Sequence, residues 1–150
     1  MEAIINAIQT KLSQIPGLKY IDENWGQLDY YSTHPPVQFP CCLIDLQNGT
    51  YSDIGMDKHA VPMNRQMGLF NVELRISNIK LTNGSANAPT NQKHQSRSIF
   101  ALIQEIHESI QGFEPTPMCG KLLRRSINKM QREDGIREYM IVYSGDIQNV

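Results

Sequence analysis

Apolar residues along this chain follow two rhythms, one helical and one strand-like. Between Asn91 and Gln111, Ile99, Leu102, Ile103, Ile106 and Ile110 recur at steps of three and four. That spacing gathers them into one stripe of an α-helix, with Gln104, Glu105, Glu108 and Ser109 on the other side. Burying these side chains yields roughly 10 kcal/mol gross, at about 1.5–3 each. Ordering the backbone costs about 1–2 kcal/mol per residue, so the helix needs a surface to lie on. A first helix is predicted over Glu2–Gln14. Ile4, Ile8, Leu12 and Ile15 form its stripe, Ile5 lies beside it, and Pro16-Gly17 stops it.

The strand rhythm appears in five places. Leu18–Asp22 reads as a short strand. Cys41–Leu46, led in by Pro36 and Pro40, is apolar on both faces at Cys42, Leu43 and Ile44, as expected inside a sheet. Gly68–Ser77 alternates Phe70, Val72, Leu74 and Ile76 with Asn71, Glu73 and Arg75, the pattern of a half-buried strand. Lys121–Gln131 and Ile136–Ser144 form a terminal pair around Glu133-Asp134-Gly135. A two-residue Asp-Gly turn would set Arg132 opposite Arg137, a like-charge clash. A three-residue loop with Gly135 in the left-handed region avoids it. That register sets Ile127 opposite Ile141 and Arg125 opposite Tyr143, and puts Leu123 on the face of Tyr139.

Trp25-Gly26 and Ser32–Pro36 read as a loop, and Asn83–Asn91 as a linker. From Gln47 to Gln66 neither rhythm holds, although Tyr51, Ile54, Met56, Val61 and Met63 are scattered through it. A connection that long suggests a binding loop or an extended hairpin arm. The order is α-β-β-β-α-β-β. It predicts one α+β domain over residues 1–150, with a single mixed, mostly antiparallel sheet of about five strands covered by two helices.

Composition narrows the function. The chain has 150 residues, a net charge of −1 and 19% charged residues, so a global basic excess that would favour nonspecific nucleic-acid binding is absent. Three cysteines, of which Cys41 and Cys42 are adjacent, do not make a disulfide framework and suit a reducing compartment. The amphipathic N-terminus lacks the basic and continuous apolar regions of a signal peptide. No apolar run approaches membrane-spanning length. These features predict a soluble protein made in a cytoplasm.

Candidate chemistry is sparse. His34, His59, His94 and His107 are scattered, and neither they nor the cysteines have zinc-ligand spacing. No nucleophile elbow or phosphate loop is present. No metal or other cofactor is therefore expected. One enzyme reading stands as an alternative. Asp45 ends one strand and Glu73-Leu74-Arg75 lies on its neighbour, which approximates the carboxylate pair plus Glu-x-Lys of divalent-metal nucleases. Arg75 stands in the lysine position, and its guanidinium stays protonated. A small cellular binding module is the other alternative. The second helix also places Lys93, His94 and Arg97 at its start and Glu105 and Glu108 near its end, against the helix dipole. A neighbouring subunit near Arg97 and Glu105 would compensate.

The layout resembles the tail-terminator and head–tail completion (minor tail) proteins of long-tailed bacteriophages and prophages. The resemblant pieces are the N-terminal helix, the proline-led strand Phe39-Pro40-Cys41-Cys42-Leu43-Ile44-Asp45-Leu46, and the strand Phe70-Asn71-Val72-Glu73-Leu74-Arg75-Ile76. They are followed by the long helix and a hairpin that carries Arg132-Glu133-Asp134-Gly135-Ile136-Arg137 before Tyr139-Met140-Ile141-Val142-Tyr143. The resemblance implies a non-enzymatic structural protein of the virion, assembled in the host cytoplasm as a homo-oligomeric ring, a hexamer. Such a ring caps the tail tube and presents a surface to the head connector, and DNA passes through its lumen. Tyr51, Ile54, Met56, Val61, Met63 and Met67, together with Arg97 and Glu105, are the expected subunit-interface residues. Methionine and aromatic surface of this kind is enriched at interfaces.

Overall fold

A computed structural model of the chain describes residues 1–30, 34–79 and 84–148, without the side chain of residue 48. Ser32 and Thr33 of the predicted loop and Asn83 of the predicted linker lie outside these residues. The elements are α1 (Glu2–Leu12), β1 (Tyr20–Glu23), β2 (Cys41–Met56), β3 (Asn64–Ile79), α2 (Thr90–Ser96), α3 (Ser98–Ile110), β4 (Leu123–Met130) and β5 (Ile136–Gln148). The five strands form one sheet in the order β1-β2-β3-β5-β4. β1 is parallel to β2 and the other pairs are antiparallel. An isolated bridge between Cys119 and Ile147 lengthens the sheet by one contact. This is the α+β fold that the two rhythms predict.

The helices cover one face. Ile4, Ile8 and Leu12 of α1 and Ile99, Leu102, Ile103, Ile106 and Ile110 of α3 are buried against Cys42, Ile44, Val72, Leu74, Ile76, Ile141 and Tyr143. Both predicted stripes are thus the faces that meet the sheet. On the other face Cys41 and Leu43 pack with Leu28, and Tyr20, Val37 and Phe39 close around them. The segment between β1 and β2 therefore roofs that side. Its Gln27 is buried and braces the turn: its Oε1 accepts from the Trp25 N–H and its Nε2 donates to the Glu23 carbonyl, both at 2.9 Å.

Three features differ from the sequence expectation. The second helix is two helices, broken at Arg97 (φ −105°, ψ 6°). The Ser96 hydroxyl donates to the Lys93 carbonyl, and Arg137 of β5 donates to the Ser96 carbonyl. The second bond takes up the carbonyl that a continuous helix would offer to the Phe100 N–H, which donates to the Arg97 carbonyl instead, whereas the Lys93 carbonyl keeps its helical bond from the Arg97 N–H. As a result Lys93 and His94 lie in the last turn of α2, where the dipole favours cations. That half of the charge reversal vanishes; Arg97 at the start of α3 and Glu105 and Glu108 towards its end still oppose it.

Second, β2 and β3 are each 16 residues long, well beyond the expected Cys41–Leu46 and Gly68–Ser77, and form the extended hairpin that is one of the two expectations for residues 47–66. Third, β4 carries an irregularity between Arg124 and Ser126. Gly135 has φ +77° and Ile127 pairs with Ile141, as the three-residue register requires. Beyond the bulge the partner of Tyr143 is Arg124, not Arg125, and Leu123 pairs with Ser144. One extra residue flips every upstream side chain. Leu123 is therefore exposed, off the face of Tyr139, and Leu122 enters the core in its place.

Candidate functional site

β1 flanks β2 only over Cys41–Ile44, and β5 flanks β3 only as far as Met67. Past those limits no other strand pairs with the β2–β3 hairpin among the described residues, and it forms an arm. Register shifts between Gln47 and Thr50 and between Asp53 and Gly55 bend it. Gly55 takes φ +117°, a conformation costly for any residue with a Cβ. Ile54 lies within the second irregularity and has no partner on β3. At the tip the Asp57 N–H donates to the Met63 carbonyl at 2.8 Å, and the Asp57 carboxylate accepts from the His59 N–H at 2.9 Å.

The arm gathers six of the expected interface residues. Val61 is 98% exposed, Met56 69%, Met63 54% and Ile54 48%. Tyr51 and Met67 stand at its base and are less exposed. The Tyr51 ring lies against Gly49 and Gly68, where a Cβ would collide with it. Sequence reasoning missed Leu69, which is 62% exposed beside Met67. The signal was available: Leu69 is apolar on the polar side of an alternating strand. Arg97 and Glu105 are exposed on the helical layer and belong to neither strand of the arm.

The nuclease residues have a different environment from the solvated strand face that their alternation suggests. Asp45 and Glu73 are register partners, but Glu73 is buried. Its Oε1 accepts from Arg75 Nε at 3.0 Å. The guanidinium of Arg75 also reaches Asp29 at 3.3 Å and Glu138 at 3.5 Å. Arg132 bonds the same two acids at 3.0 and 2.8 Å, Asp134 at 2.7 Å and the Leu28 carbonyl at 2.7 Å. The charge of Glu73 is thus already met by a guanidinium. Arg75 is held further above its usual range by Glu73, Glu138 and Asp29 against the effect of burial, so it is no proton acceptor. The network ties the roof segment and the β4–β5 turn to the sheet.

The remaining reactive side chains are quiet. Burial, with Glu138 nearby, pushes the Cys41 thiol up to about 12, and burial also raises Cys42. Both remain protonated and unreactive at neutral pH. His107 Nδ1 lies 3.1 Å from the Tyr143 hydroxyl. Burial lowers the His107 pKa, and burial raises Tyr143 to about 12. This pair seals the edge of the core. No group of three or more metal-ligating side chains converges among the described residues, and none of their helices is long and apolar enough to cross a membrane.

No protein-family model and no curated protein matches the chain. Among solved structures it is similar to a chain of the virion of a native gene transfer agent (GTA) particle. The TM-score is 0.57 at 11% identity, over 99% of this chain and 96% of that one. At this identity the likeness is one of fold, and it runs along nearly the whole length of both chains.

Proposed function

We propose that this protein is a structural assembly protein of a phage or prophage virion and not an enzyme. It works as one domain whose arm joins copies into a ring, a hexamer, that caps the tail tube and meets the head-completion or connector protein. DNA crosses the lumen without a chemical step. The observation that carries this reading is the arm: Ile54, Met56, Val61 and Met63 project from the sheet with about half or more of their surface in water. Contiguous exposed apolar surface on a folded chain marks an interaction site. At the base of the arm Tyr51 adds apolar surface on one face and Met67 and Leu69 add it on the other, and Arg97 and Glu105 belong to the flanking contact. The full-length fold likeness to a virion chain supports the same reading.

Sedimentation and light scattering of the concentrated protein, then electron microscopy with tail-tube protein present, test this. Rings in solution or at tube ends are expected. A monomer at every concentration that also leaves tube ends bare overturns the proposal.

A further inference from the structure

The sheet has two outer edges, and they carry opposite charge. On one side lies β4, Leu-Arg-Arg-Ser-Ile-Asn-Lys-Met, preceded by Lys121. Lys121, Arg124, Arg125 and Lys129 are all exposed. No acid occurs from Pro115 to Arg132. Across the β4–β5 pairing the only acid is Glu138, which is engaged by Arg132. On the other side lie β1 and the stretch of β2 that β1 does not reach. Asp22, Glu23, Asp45 and Asp53 line that edge, with Lys19 ahead of β1 as its cation. None of these four acids and none of the four β4-edge cations forms an ion pair among the described residues.

Charged edges are a common defence against strand-to-strand aggregation. That defence works through repulsion and would be served by one sign on both edges. Opposite signs attract. Strand direction agrees. β2 opposes β3, β3 opposes β5 and β5 opposes β4, while β1 follows β2. Placing a second copy beside the first in the same orientation therefore sets its β4 antiparallel to β1 and β2. Such a contact joins two different patches and is heterologous, the kind that closes rings.

We infer that the β4 edge of one copy docks on the β1–β2 edge of the next through these side chains. The occupant of each edge is a second copy of this chain. The bulges at Arg125 and in β2 interrupt a regular backbone ladder, so side-chain ion pairs carry the contact. This inference rests on the ring reading and adds the two sheet edges to the arm as mating surfaces.

Two charge-reversed variants test it. One carries Arg124→Glu, Arg125→Glu and Lys129→Glu. The other carries Glu23→Lys, Asp45→Lys and Asp53→Lys, and spares Asp22, which bonds Tyr20 and Trp25. Each variant alone presents two edges of one sign. Each should need at least about tenfold more protein to assemble at low salt than the natural chain, because like charges face each other. Mixed one to one, each reversed edge meets its complement, and assembly should return to near the natural level. Restoration on mixing also shows that both variants are folded. Raising salt from about 0.05 to about 0.5 M should weaken the natural assembly. Variants that assemble alone like the natural chain, or a mixture that stays apart while circular dichroism shows both folded, overturn the edge contact and leave the ring standing. A natural chain that never assembles, even on tube ends, overturns both.

Discussion

Arg132 reaches three carboxylates from a side chain only 10% exposed, and one of them, Glu138, is 2% exposed. Taking Arg132 away leaves Glu138 shut off from water with only the more distant Arg75, at 3.5 Å, as counter-ion. Arg132→Met should therefore cost about 3–5 kcal/mol of stability, read by urea unfolding. Adding Glu138→Gln to that variant should recover part of the loss, because the stranded charge is then gone. His107 gives a pH signature. Its folded pKa lies below the ordinary 6.5, first through burial and then through Arg124. The unfolded chain therefore takes up the proton first as pH falls. Stability should be complete above about 6.5 and decline below it until the folded His107 also titrates. Thermal melts at pH 5 to 8 should show that decline, and His107→Gln should flatten it.

The split of the second helix is the clearest lesson among the elements. The stripe from Ile99 to Ile110 is legible because its period is local and its side chains all meet one sheet. The break at Arg97 is not, because a hydrogen bond to the Ser96 carbonyl from Arg137, 41 positions beyond Ser96, helps to make it. The break also decides what to expect of the charges. Lys93 and His94 now end α2 favourably, so only Arg97, Glu105 and Glu108 oppose the dipole of α3. Arg97→Glu with Glu105→Lys should stabilise the monomer by roughly 0.3–1 kcal/mol per charge and raise its melting temperature, while weakening assembly. Equal or better assembly would remove both residues from the interface.

For the whole molecule the decisive separation is between what holds one copy together and what copies hold between them. The arm contributes nothing to the buried cluster between helices and sheet, whose members on β2 and β3 are Cys42, Ile44, Phe70, Val72, Leu74 and Ile76. Met56→Asp with Met63→Asp should change the monomer's stability by no more than about 0.5 kcal/mol, as for surface changes, and should disperse the ring in sedimentation. Unchanged assembly would free the arm tip of that role. The arm was half visible in advance: its punctuated, methionine-rich sequence marks a segment that cannot bury itself, whereas its form as a bulged hairpin depends on pairing across the chain.

By itself the sequence determined whatever a local period controls: the two apolar stripes, the alternating β3, the three-residue turn at Gly135 and the class of fold. Tertiary structure alone decided the strand order, the parallel β1, the roof over Leu43 and the burial of Glu73 beside Arg75. It also decided the bulge that exchanged Leu123 for Leu122 and the placing of opposite charges on opposite edges. The reason is range. Periodicity reports which side of an element is apolar, but the neighbour of that side, and the counter-ion of a charge on it, come from residues tens of positions away.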